Sequence, residues 1–146
     1  MNHVEFVPED GPGGDVYVRI RIDGWDLIER LREIELPTAI AQNRESIAGD
    51  YQGLPPEAWQ ELPTVGDPTG PRAVLGCTCG EAGCWPMLVR ITHEPDVVVW
   101  SDFDGSIGPV EVYASLGPYT FPRHEYDAAV ARVLARLPIV RWDVPE

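Results

Sequence analysis

Val16, Val18, Ile20 and Ile22 alternate with Tyr17, Arg19, Arg21 and Asp23. A two-residue period sends successive side chains to opposite sides of an extended strand, so this segment needs one dry face and one wet face. The same demand recurs further along. Met87, Val89 and Ile91 alternate with Leu88, Arg90 and Thr92, Glu94-Pro95-Asp96 turns the chain, and a β-branched and aromatic run follows over residues 97–103. The two segments predict an antiparallel hairpin. Residues 3–7 are a weaker strand candidate, joined to Val16 through the turn-rich stretch 8–14. Val110-Glu-Val-Tyr113 and Tyr119-Thr-Phe121 are short candidates around Gly117-Pro118.

Two segments carry a helical period instead. Leu27, Ile28, Leu31 and Ile34 recur at helix spacing, with Asp23 as the expected cap and Pro37 as the expected stop. Tyr126, Val130, Val133, Leu134 and Leu137 form a second stripe, stopped by Pro138. Antiparallel strands with one helix early and one late predict an α+β architecture, an antiparallel sheet with two amphipathic helices packed on one face. At 146 residues the chain reads as a single domain, 1–146. Its irregular part is a long connection at about 38–72, broken by Pro55, Pro56, Pro63, Pro68 and Pro71. Pro56-Glu57-Ala58-Trp59 is expected to open a short helical turn, with Tyr51 and Trp59 pinning the connection to the body. A connection of this length is a candidate recognition loop.

The formal net charge is −13, and all eleven basic residues are arginine. Without lysine there is no Schiff base and no phosphate-loop lysine. The acidic balance argues against nucleic acid, whose phosphates need a basic face. No apolar run reaches membrane-spanning length, so no membrane contact is expected. The start of the chain lacks a basic segment followed by an apolar one, so a cytoplasmic setting is expected. The charge suits a basic partner protein. Asp23, Asp26, Glu29 and Glu33 are the candidate docking acids, and Glu29 and Glu33 lie one helical turn apart. An ordinary solvated helix face is the competing reading.

The three cysteines fall in one stretch, Cys77-Thr-Cys79-Gly80-Glu-Ala-Gly83-Cys84. Zinc takes about four Cys or His ligands. Cys77, Cys79 and Cys84 supply three thiolates, the two glycines let the backbone curl, and His93 is the nearest candidate for the fourth. The spacing lacks the second cysteine pair of common zinc sites. Plain packing around a Gly80–83 turn outweighs the zinc reading, and a reactive thiol with its pKa depressed by His93 ranks behind both. The cofactor reading is therefore none, or one zinc ion.

Two resemblances follow from particular residues. Val97 to Ile107, with Asp102-Phe-Asp104-Gly105-Ser106, resembles the first signature of haloacid-dehalogenase-like phosphatases. That likeness would make Asp102 a nucleophile and Asp104 its acid/base. It covers about ten residues, and the chain has neither the repeated β-α units nor the lysine of those enzymes, so a strand entering a solvated Asp-Gly turn explains it better. A calcium loop counted from Asp102 fails, because Ile107 and Tyr113 occupy its glycine and glutamate positions.

Leu75-Gly-Cys77-Thr-Cys79-Gly80-Glu-Ala-Gly83-Cys84-Trp85-Pro86, then Trp100-Ser-Asp-Phe103 and Leu116-Gly-Pro-Tyr119-Thr-Phe121, resembles a family of small uncharacterised bacterial proteins. The likeness spans roughly 73–135 and departs between Asp104 and Ser115. It implies homology and no particular activity. The resulting expectation is a non-enzymatic acidic binding protein, in its sharpest form an immunity-type inhibitor of a basic protein. A small zinc-binding module is the alternative. A cysteine-based or phosphatase-like enzyme is a third possibility.

Overall fold

The computed structural model describes residues 1–11, 16–54, 71–77 and 86–136. The fold is α+β. Strands β1 (Val4–Asp10) and β2 (Val16–Ile22) form a hairpin, and the short β3 (Trp25–Asp26) pairs with the end of β2. Helix α1 (Leu27–Ala41) follows at once. A second sheet runs in sequence order through β4 (Tyr51–Gly53), β5 (Arg72–Cys77), β6 (Met87–His93), β7 (Val97–Asp104) and β8 (Tyr119–Pro122). Helix α2 (Arg123–Arg136) follows β8 directly.

One sheet was expected and two are found, hydrogen-bonded to each other at both margins. The Val18 N–H donates to the Leu54 carbonyl at 3.0 Å, and the Asn2 N–H donates to the Thr120 carbonyl at 2.8 Å. The strands thus run β1-β2-β4-β5-β6-β7-β8 and return to the start of β1. Gly53 sits where β4 meets β2, and a Cβ there would collide with the Val18 backbone. Both helices bury their apolar stripes in the same core. Leu27 and Leu31 come from α1 and Tyr126, Val130 and Val133 from α2. At its aromatic centre, Trp100 lies 5.7 Å from Phe121 and 6.3 Å from both Phe6 and Tyr126.

The hairpin of β6 and β7 forms as its alternation demands, with one irregularity. Leu88 faces Asp104 while Arg90 faces Ser101, so β7 carries an extra residue. Asp102 takes the left-handed conformation at φ 55°. This β-bulge reconciles a three-residue step with a two-residue period, so that Trp100 and Phe103 are both buried. Asp102 itself is exposed and accepts from Arg90 Nε at 3.1 Å.

Three expectations about local structure are corrected. Asp23 does not cap α1. It occupies the β2–β3 turn at φ 51°, and Asp26 is the cap, accepting from the Glu29 N–H at 3.0 Å. Pro37 does not stop α1 but lies inside it. Proline leaves the carbonyl four residues back unpaired. Here that carbonyl belongs to Glu33, and both residues are exposed. The helix ends instead in a Schellman turn around Asn43 at φ 60°, with Asn43 N–H to Ile40 and Arg44 N–H to Ala39. Finally, Val110–Tyr113 is a 3-10 turn and not a strand. The long connection contributes β4 and a 3-10 turn at Glu45–Ile47. Its Pro56–Trp59 segment, the Gly80–83 turn and the stretch from Leu137 onward lie outside the described residues.

Candidate functional site

The junction of β3 and α1 gathers three of the four acids picked out for docking. Arg21, Trp25, Asp26, Glu29, Arg30 and Glu33 line an open groove of about 410 Å³. The helix start builds it. Asp26 must stand at the N-cap to satisfy the Glu29 N–H, which fixes the first turn and sets Glu29 and Glu33 along one edge. Asp26 is fully engaged. Its carboxylate also receives a two-pronged bond from Arg19, at 3.1 and 2.6 Å. That hydrogen bond raises the Arg19 pKa further above its ordinary value. Glu29 and Glu33 are exposed, and among the described residues no ion pair engages either.

The groove is not uniformly acidic. Arg21 donates to the Gly24 carbonyl at 2.8 Å and lies 3.8 Å from Glu5. Arg30 places its guanidinium 4.9 Å from the centroid of the Trp25 ring. Trp25 is half-buried and edge-on to Tyr119 at 5.7 Å. The fourth acid, Asp23, is not a groove-lining residue. Its carboxylate accepts from Asn2 Nδ2 at 2.7 Å and from the His3 N–H at 2.8 Å, which ties the chain start to the β2–β3 turn. Those two hydrogen bonds hold its pKa below the usual carboxylate value.

A second constellation lies beneath the surface. Glu35 is fully buried on the inner stripe of α1. Its Oε2 accepts from the Tyr51 hydroxyl at 2.5 Å and the Tyr113 hydroxyl at 2.6 Å, and its Oε1 accepts from the Gly49 N–H at 2.8 Å. The two hydroxyls in turn accept from the N–H groups of Ser106 and Ile107, each at 3.1 Å. One carboxylate thus ties α1 to β4 and to the segment after β7. Burial, reinforced by Glu35, pushes both phenols above their ordinary value of 10, so both keep their protons. The signal that Glu35 is buried lies in the stripe Leu27, Leu31, Glu35, Ala39, whose members are four residues apart.

The candidate zinc ligands are not brought together among the described residues. The backbone of Cys77 ends β5 opposite Tyr51, while Cys79 and Cys84 lie outside the described residues. β5 pairs with β6 through Leu75 and Met87, so Cys77 falls beyond the start of β6. His93 ends β6, six residues after Met87 and about 20 Å away along the strand. Its ring lies 6.1 Å from that of Tyr126. Burial and then Arg123 lower its pKa below 6.5. Among the described residues no group of three His, Cys, Asp or Glu side chains is placed to hold a metal ion.

Among the described residues no helix is long and apolar enough to cross a membrane. Comparison with protein-family models, with curated proteins and with solved structures gives no match to this chain.

Proposed function

We propose that this chain is a non-enzymatic acidic binding protein that docks a basic partner protein, in the manner of an immunity-type inhibitor. The observation that carries the reading is the groove at the start of α1, where Glu29 and Glu33 stand exposed, one turn apart and outside any ion pair among the described residues. The net charge of −13 adds a long-range field of the same sign. Complementary charge raises association rates and rejects wrong partners more than it adds raw affinity. The capped helix fixes the backbone that carries the two carboxylates before any encounter, so docking has only their side chains to order.

The test compares capture from a lysate by immobilised native chain and by an E29K/E33K variant, at low and high salt. The expected result is a basic protein retained by the native chain at low salt, less of it at high salt, and none by the variant. Equal capture by chain and variant would place the contact elsewhere. No captured protein at either salt would overturn the reading.

A further inference from the structure

Resting on that docking reading, we propose that the groove recognises one arginine side chain of the partner, which stacks on Trp25 in place of Arg30 and is bound by Glu29 and Glu33. The groove pairs an indole face with carboxylates beside it. That combination fits a flat, delocalised cation. A guanidinium can stack on the ring and fork toward a carboxylate at once, whereas an ammonium is a compact, strongly hydrated point charge. Trp25 is a prepared platform, half-buried and braced edge-on by Tyr119 at 5.7 Å. The chain already shows which chemistry the platform accepts, since it holds its own Arg30 guanidinium 4.9 Å from the ring centroid.

Arg30 is exposed on the first turns of α1, and cation–π contact is its interaction among the described residues. It can therefore leave the ring for water at small cost. An incoming arginine restores the stacking that Arg30 gives up and adds contact with Glu29 and Glu33. Asp26 does not take part, because Arg19 and the helix N-terminus occupy its oxygens. Arg30 is then an internal competitor for the ring that an incoming arginine must displace.

The experiment titrates the full chain with three capped peptides, acetyl-Gly-Arg-Gly-amide and its lysine and citrulline counterparts. The readout is the indole N–H resonance of Trp25, assigned with W25F. The arginine peptide is expected to shift that resonance saturably, the lysine peptide to bind more weakly, and the neutral citrulline peptide not to bind. In R30Q the arginine peptide should bind about threefold tighter, the size of one exposed cation–π contact, with a smaller gain for lysine. R30Q changes one exposed side chain, so the test stands even if W25F folds poorly. Equal affinities for arginine and lysine, raised equally by R30Q, would overturn the stacking site. If capture in the E29K/E33K experiment still depended on charge, the docking reading would survive that failure. No binding of any peptide would also overturn the site, and loss of charge-dependent capture would remove the docking reading with it.

Discussion

Glu35 is the one charged side chain buried among the described residues. A buried carboxylate is tolerated only where donors replace water, and here three do so. Tyr113→Phe removes one of them and leaves the Ile107 N–H without its acceptor. Tyr51→Phe does the same to Ser106. Each is expected to cost about 1–3 kcal/mol in urea denaturation. The double variant should cost more than the sum, since the carboxylate keeps only Gly49. Additive costs would mean that the hydroxyls act separately. His93 makes a different prediction. Its folded pKa lies below 6.5, so the fold favours the neutral ring. Its contribution to stability is present above 6.5 and is lost as pH falls through the lower folded value. Melting temperature should therefore drop between neutral and mildly acidic pH, and H93Q should flatten that drop. If protein purified without added metal contains zinc, H93Q should leave the zinc content unchanged, given where β6 places the ring. At this scale the sequence was only partly legible. The docking acids could be picked out by sign and spacing. The pairing of Trp25 with Arg30 could not, because a strand residue and a helix residue five apart meet only after the β3–α1 corner forms. Asp26 takes the capping role expected of Asp23 for a similar reason. Either fits a cap by residue type, and the two-residue β3 decides between them.

Elements were legible where a single period ran unbroken. β2, β6 and α2 follow their alternation or stripe, and Val18, Ile20 and Ile22 are all buried as that pattern requires. Legibility failed where a local rule met a tertiary one. Pro37 should end a helix, yet its exposed position lets water serve the carbonyl that it leaves unpaired, and Ala39 beyond it packs on Ala48 and Ile107. Packing therefore carries α1 one turn past its proline. Pro37→Ala restores the missing N–H at a solvent-facing site and is expected to stabilise the protein by about 1–3 kcal/mol, measured by denaturant midpoint. A loss of stability instead would mean that the ring makes contacts that alanine cannot replace. Gly53 is the opposite case. Its missing side chain is what lets β4 approach β2, so Gly53→Ala should separate the two sheets at that margin. The predicted effect is a destabilisation of several kcal/mol, with faster exchange at the Val18 N–H. Unchanged protection at Val18 would show that the bridge to Leu54 does not depend on the glycine.

At the scale of the whole molecule, charge opposes stability and favours association. Twenty-four carboxylates against eleven arginines repel one another across a body of 16.2 kDa. Several ion pairs among the described residues, such as Arg21 with Glu5 and Arg123 with Asp127, are exposed and add little. Net repulsion is therefore the larger electrostatic effect on the fold. At an ionic strength of 0.1 M the screening length is about 10 Å, short enough to quiet charges on opposite sides of the molecule. Raising salt from very low to moderate concentration should raise the melting temperature. The same salt should weaken capture of a basic partner, since steering relies on the field that screening removes. The two measurements on one protein should thus move in opposite directions along one salt series. A melting temperature that falls along the series would mean that specific ion pairs hold the fold, and capture that does not weaken with salt would mean that net charge has little part in binding.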